Sequence, residues 1–280
     1  MKKILITGAN SYIGTSFEKY MAQWPEKYQV DTVDMIDGTW REKDFSGYDT
    51  VFHVAGIAHQ KETQENAELY YKINRDLAFD TAVKAKTDGV KQFIFLSSMS
   101  VYGLETGVIT KETVPTPKSN YGKSKLQAEE MLKKLEDDSF KVAILRPPMV
   151  YGKGCKGNFQ TVIKIVRRFH VFPKVTNLRS MIYIENLCSF VKLCVGRELD
   201  GVYFPQNREY VKTIDIAEVV AEQLHIRSYF SYLLGGAVVV LRLLLPVAKK
   251  GFGNLIYKDV DEFDYVYCII SNEDSLKKSV

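Results

Sequence analysis

Lys3-Ile-Leu-Ile-Thr7-Gly8-Ala9-Asn10-Ser11-Tyr12-Ile13-Gly14 is the stretch whose reading decides the fold of this chain. Its first five residues form a short apolar strand and Gly8 to Gly14 a turn. Thr15 to Gln23 then has helical spacing, with Phe17, Tyr20 and Met21 apolar. Glycine at 8 permits a tight turn and lets backbone N–H groups approach a pyrophosphate. Glycine at 14 allows close helix–sheet packing, and the helix N-terminus favours an anion. Tyr28 to Asp34 reads as a second strand, and Asp34 follows Gly14 by 20 residues. A carboxylate there can accept hydrogen bonds from an adenosine ribose and would repel a 2′-phosphate. Strand, turn, helix and distant acid predict a dinucleotide site built from Gly8, Asn10, Ser11, Tyr12, Ile13, Gly14 and Asp34. NAD is preferred over NADP.

Working outward, Asp49 to Ala55 is another strand, followed by a helix over Asn66 to Ala85. Val90 to Ser97 is a strand and Ser119 to Leu135 a helix. Lys141 to Arg146 is a strand stopped by Pro147-Pro148. This alternation predicts a parallel sheet covered on both faces. Right-handed crossovers make it a doubly wound, Rossmann-type α/β fold. The interval from Asp34 to Asp49 is short for a helix plus a strand, so the third strand of the usual order is expected to be abbreviated. After Gly152 the alternation weakens, with a strand over Arg179 to Ile184 and a helix over Glu185 to Val195. Residues 1–153, with 176–207 returning, are expected to form the dinucleotide domain. Residues 154–175 and 208–280 are expected to form a smaller C-terminal substrate-binding lobe.

Tyr121-Gly-Lys-Ser-Lys125 lies in the predicted helix after Ser98, which closes the apolar run from Gln92. A Tyr and a Lys four apart share one helix face, and a Ser at a strand end can sit opposite. A free phenol has a pKa of ~10 and is a poor base at neutral pH; a nearby ammonium lowers it. Ser98, Tyr121 and Lys125 therefore read as a catalytic set that handles a hydroxyl beside a hydride carrier.

Composition is that of an ordinary globular protein, 46% hydrophobic and 26% charged, with a formal charge of +4. Lys and Arg are spread along the chain, which argues for anionic small molecules and against nucleic acid. No pair among Cys155, Cys188, Cys194 and Cys268 has zinc-ligand spacing, so no metal site is expected. The start lacks a signal-peptide layout, and a cytoplasmic location is expected. The apolar run 233–248, interrupted by Arg242 and Pro246, is shorter than the ~20 residues a spanning helix needs. It is expected to be a buried or interface helix, with peripheral membrane contact as the alternative.

At these residues the chain resembles the NAD-dependent epimerase/dehydratase family of extended short-chain dehydrogenase/reductases. The family pattern Thr-Gly-x-x-Gly-x-x-Gly is met by Thr7, Gly8 and Gly14, with Ser11 in place of the middle glycine. The resemblance implies that Val54, Ala55 and Gly56 of His53-Val-Ala-Gly56 pass beneath adenine and ribose. It implies that Asn74 supports the central strands and that Pro148, in Arg146-Pro-Pro-Met-Val-Tyr-Gly152, lies beside the nicotinamide. Tyr121 and Lys125 are then the catalytic pair, with Lys125 also on the nicotinamide ribose and Tyr121 facing the cofactor. Ser98 and Ser100, in Ser97-Ser-Met-Ser-Val-Tyr-Gly103, face the sugar. Asn158 and Arg179 match positions that hold a nucleotide sugar, and His59 is a further candidate for the sugar pocket. A homodimer is the family's common assembly.

The implied enzyme is a UDP-sugar 4-epimerase working through a transient 4-keto sugar. The close alternative is an NAD(P)H-dependent 4-keto-reductase of a UDP-6-deoxy-HexNAc sugar for surface polysaccharide. A non-catalytic NAD sensor is the reading from another class. A 4,6-dehydratase needs an acid and a base next to the catalytic Ser, and Met99-Ser100 stand there instead.

Overall fold

A computed structural model describes residues 1–58, 60 and 62–280, and the side chains of all of these except 242, 243, 246 and 247. In chain order the first elements are β1 (Lys2–Thr7), α1 (Tyr12–Met21), β2 (Tyr28–Val33), β3 (Thr50–His53), α2 (Ala67–Tyr71), α3 (Leu77–Thr87) and β4 (Gln92–Leu96). Next come β5 (Gly107–Ile109), α4 (Asn120–Lys133), β6 (Lys141–Leu145), β7 (Met149–Tyr151), α5 (Asn158–Phe169), β8 (Val171–Pro173) and β9 (Met181–Tyr183). The remainder holds α6 (Ile184–Arg197), β10 (Gly201–Tyr203), α7 (Thr213–Gln223) and β11 (Tyr229–Ser231). It closes with α8 (Tyr232–Leu244), α9 (Pro246–Phe252), β12 (Leu255–Tyr257) and α10 (Asn272–Ser279). These elements form two compact units. One comprises Met1–Gly103, Val114–Pro147 and Leu187–Pro205; the other comprises Leu104–Thr113, Pro148–Asn186 and Gln206–Val280.

The first unit is built on a parallel sheet of order β10-β6-β4-β3-β1-β2. This is the doubly wound α/β architecture expected from the alternation. Strand order reverses about β1, and ligands of such sheets bind beyond the carboxyl ends at that reversal. Gly8, Asp34, Val54 and Ser98 each follow the end of a strand of this sheet. Period-two alternation sends Leu5, Val51, Phe93, Phe95, Val142 and Ile144 to one face, against Ala78, Ala82 and Ala85 of α3 and Ala128 and Leu132 of α4. Phe52 belongs to the opposite face and meets Phe17 of α1 edge-on at 5.2 Å between centroids.

Two local departures from the sequence pattern matter. Residues 34–49 form one 3₁₀ turn, Thr39–Arg41, and no strand, because Trp40 and Phe45 turn into the core. The expected helix over 66–85 is interrupted by a π-helical turn, Lys72–Asp76, which buries Asn74.

The second unit pairs β5 with β12, β7 with β9 and β8 with β11, each parallel. Phe159, Ile163 and Val166 of α5 and Ile214, Ala217 and Val220 of α7 are its buried helix residues. The apolar 233–248 segment forms most of α8 and the start of α9, and here the expectation of burial is corrected. Leu233 is 90% and Leu244 75% exposed. The helix is held at Gly235, where a Cβ would collide with the Lys174 carbonyl oxygen, and this narrow contact leaves most of its surface uncovered.

Candidate active site

The nucleotide end of the site is a backbone cradle. Gly8 has φ +114°, and a Cβ there would stand 2.8 Å from the Ala55 nitrogen. The N–H groups of Gly8 and Ala9 donate to the Val33 carbonyl, at 3.0 and 3.1 Å. Those of Val54 and Ala55 donate to the Thr7 carbonyl, at 3.1 and 2.9 Å, which draws the end of β3 to the turn. Ser11 sits at φ −72°, a conformation open to any residue, so the serine costs no strain. Its Oγ accepts the Gly14 N–H at 3.1 Å and caps α1. The helix therefore begins at Tyr12, three residues before the apolar spacing shows it. Asn10, at φ 64°, completes the turn. The first-turn amide of Ile13 has no intrahelical acceptor, as at any helix start. Asp34, directly after β2, accepts the Ile36 N–H at 2.9 Å. Gly56 is a second close approach: a Cβ there would fall 2.8 Å from Asn74 Oδ1. A cradle that a single methyl group would fill suits a ligand bound through backbone contact, as a dinucleotide is.

Ser119 caps α4 by accepting the Gly122 N–H at 3.1 Å. Glu62 accepts the N–H groups of Asn120 and Tyr121. Tyr121 thus stands in the first turn of α4, and Ser98 acts on its phenol. Ser98 Oγ also accepts the Ser100 N–H and donates to Ser100 Oγ, both at 3.1 Å. Burial pushes the Tyr121 phenol above its ordinary pKa, the Ser98 hydrogen bond pulls it back, and Tyr70 adds to the rise.

Lys125 lies one turn beyond Tyr121 on α4 and is buried. Its Nζ turns back to donate to the Leu96 carbonyl at 2.8 Å and lies 4.6 Å from the centroid of the Phe95 ring. Ser98 lowers the Tyr121 phenol's pKa against the effect of burial. Burial brings the Lys125 ammonium down to about 7, opposed by Glu129 one turn further along α4. Asn74 ties this region to the cradle. Its Oδ1 accepts the Ile57 N–H at 2.9 Å, and its Nδ2 donates to the Ile57 carbonyl and to Ser124 Oγ, each at 3.2 Å.

Beneath these residues is a buried ionic floor whose role local sequence reasoning missed. Arg146 Nε donates to both Glu129 oxygens, at 3.0 and 3.2 Å, and Nη2 to Oε2 at 2.5 Å. Its Nη1 donates to Tyr102 Oη at 2.8 Å, and Ser97 Oγ donates to Glu129. Glu129 is four residues beyond Lys125, so helical spacing was the available signal. His53 completes the floor, with Nδ1 2.8 Å from Thr7 Oγ1 and its ring stacked near Phe93 and Phe95. Burial, helped by the Lys125 charge, lowers it to about 3 and keeps it neutral.

The remaining candidates divide as follows. Ser100 is exposed beside Ser98, and Met99 is buried, its N–H on the Pro147 carbonyl at 2.9 Å. Pro148, Asn158 and Arg179 belong to the second unit. Asn158 is exposed at the start of α5. Arg179 Nη1 donates to the carbonyls of Lys250 and Gly253, both at 3.0 Å, and burial lowers its pKa. His59 lies outside the described residues.

A parallel sheet with a glycine cradle at its reversal point, and a Ser, a Tyr and a Lys beyond the neighbouring strand, define a dinucleotide-dependent enzyme of the short-chain reductase type. Residues 4–201 match the model of the NAD dependent epimerase/dehydratase family, and the chain belongs to that family. Its cofactor is NAD, which the cradle fits. The chain is 32% identical over 246 residues to a UDP-glucose 4-epimerase of Vibrio cholerae, covering 79% of this chain and 75% of that one. It is 28% identical over 238 residues to N-acetyl-alpha-D-glucosaminyl-diphospho-ditrans,octacis-undecaprenol 4-epimerase of Escherichia coli O157:H7, covering 78% and 70%. The fold is shared with UDP-glucuronic acid 4-epimerase of Bacillus cereus in complex with NAD, at a TM-score of 0.74 and 18% identity over 99% of this chain and 95% of that one.

Proposed function

We propose that this enzyme inverts the configuration at C4 of a UDP-sugar through a transient 4-keto sugar. The observation that carries the reading is the placement of Ser98, just beyond the end of β4, near Tyr121 in the first turn of α4, where the serine lowers the phenol's pKa. Tyr121 takes the proton of the C4 hydroxyl and later returns it. Ser98 holds the same oxygen and, once its hydroxyl turns from Ser100 Oγ to the phenol, favours the phenolate. Bound NAD would supply the exchange of a hydride with the sugar carbon. Gly8, Gly14, Asp34 and Gly56 would hold its adenosine and diphosphate, and Asn74, Lys125 and Pro148 the region of the nicotinamide ribose. Asn158 and Arg179 would hold the nucleotide of the sugar. The buried Met99 next to Ser98 offers no acid or base, which favours epimerisation over dehydration. The 32% identity to a UDP-glucose 4-epimerase supports the same choice.

The test is to incubate the purified enzyme with UDP-sugars and follow C4 configuration by NMR. Inversion without added NADH is the expected result. NADH consumption that requires a 4-keto sugar would replace the epimerase reading with that of a 4-keto-reductase. Binding of NAD with turnover of neither substrate class would favour a sensor.

A further inference from the structure

We propose that the second unit docks on an anionic lipid bilayer through α8 and the β8–β11 pair. Tyr232, Leu233, Val240 and Leu244 of α8 are all at least 60% exposed. A helix apolar on nearly every side is at home only against another apolar phase. At 13 residues α8 is about 20 Å long, shorter than the ~30 Å hydrocarbon core. Among the described residues no helix is long and apolar enough to cross a membrane. The geometry is that of a helix lying in the interface.

The apolar face continues off the helix. Val171 of β8 pairs with Tyr229 of β11, both exposed, and Phe169, at the end of α5, is 65% exposed beside them. Tyr and Phe at such an edge suit the headgroup region, where an aromatic ring meets both water and acyl chain.

Charge selects the occupant. Residues 148–184 and 223–258, the segments that supply α5, β8, β11, α8 and α9, contain twelve Lys or Arg and not one Asp or Glu. Arg167 and Arg168 precede Phe169, Lys174 Nζ lies 4.6 Å from the Tyr232 ring centroid, and Lys249 and Lys250 lie exposed on α9. Most acids of this unit are elsewhere, many of them between Asp259 and Asp274, although Glu218 of α7 is within electrostatic reach of Lys174. A second copy docking through the same patch would set this predominantly basic surface against itself. An anionic leaflet complements both its apolar and its basic character.

Flotation of the full chain with vesicles tests the proposal. Phosphatidylglycerol-containing vesicles should carry the protein, and pure phosphatidylcholine vesicles should carry far less. High salt should weaken, without abolishing, the binding. Leu233→Ser with Leu244→Ser should cut the bound fraction about tenfold or more, since both side chains leave the acyl region. Arg167→Glu with Arg168→Glu should lower binding at low salt and change little at high salt. Unchanged melting temperature and NAD affinity would certify the fold of each variant. Failure to bind anionic vesicles, or equal binding by the Leu233→Ser/Leu244→Ser variant, would overturn the proposal. So would vesicle-free self-association that this variant abolishes.

Discussion

Glu62 accepts the backbone N–H of Tyr121 at 3.1 Å, while its other oxygen accepts that of Asn120 at 2.9 Å. A carboxylate at this place satisfies orphan amides and meets the positive end of the helix dipole. It also fixes the first turn of α4, from which the phenol projects, so Glu62 is a positioning residue. Glu62→Ala should lower stability by about 0.5–2 kcal/mol. It should lower kcat about tenfold at nearly constant KM, and Glu62→Gln should recover most of the loss. Thermal melts and initial rates measure both, and an unaltered kcat in the alanine variant would remove the role.

Tyr121→Phe keeps the ring and deletes the hydroxyl proposed to carry the proton. Turnover should fall about 10²- to 10⁴-fold, the usual worth of a positioned acid–base group, with NAD affinity retained. Ser98→Ala should fall less, and should move the pH at which activity rises upward, because the serine lowers the phenol's pKa. Turnover of Tyr121→Phe equal to that of the wild type would sink the assignment.

Lys125 is 5% exposed, and burial lowers it to about 7 in the fold. The unfolded chain would hold the proton up to about pH 10.4. Between those values the unfolded state binds more protons, so stability from this group rises with pH. The cost of burying the charge is fully present below about pH 7 and gone above about pH 10.4. The difference in unfolding free energy between the wild type and Lys125→Met should therefore change across that window in favour of the wild type. Urea titrations at several pH values would show it, and a constant difference would contradict it.

Gly56→Ala places a methyl group 2.8 Å from Asn74 Oδ1 and 3.4 Å from Lys125 Nζ. Asn74 cannot retreat without giving up the Ile57 N–H, so overpacking of about 1–3 kcal/mol is expected. NAD affinity should drop with it. Calorimetry of the variant with and without NAD reads both effects.

Glu129 and Arg146 neutralise each other in a buried setting. Removing either partner alone, as in Glu129→Leu or Arg146→Met, should cost about 3–5 kcal/mol, because a charge is left unpaired. The double variant should cost less than either single one. A double-mutant cycle by chemical denaturation checks this, and strictly additive losses would disprove the coupling.

What could be read from the chain alone was what local spacing carries. The Gly8–Gly14 turn, Asp34 and the Tyr121–Lys125 pair each depend on neighbours within a strand and a helix, and strand–helix alternation carried the sheet. What escaped depends on partners distant in sequence or on rotamers. Glu62 caps a helix that begins 58 residues later. Lys125 shares a face with Tyr121, yet its terminal nitrogen is claimed by a strand carbonyl. That Ser11 caps α1 by accepting the Gly14 N–H depends likewise on its rotamer. The apolar composition of 233–248 could not say whether anything covers it; only the course of α8 past Lys174 does.

The first unit is discontinuous in sequence, and this sets when it can be complete. Its outermost strand on one side, β10, pairs with Ala143–Leu145 of β6 only after Tyr203 has been synthesised. Gln92, in the buried middle of the sheet, donates to the carbonyls of Cys194 at 3.0 Å and Leu199 at 2.9 Å. A nascent chain ending at Pro147 would already hold the cradle, Ser98, Tyr121 and Lys125. It would also expose an open sheet edge and an unsatisfied amide in its core. The part of the chain that holds Ser98, Tyr121 and Lys125 therefore waits, during translation, for most of the remainder to be made.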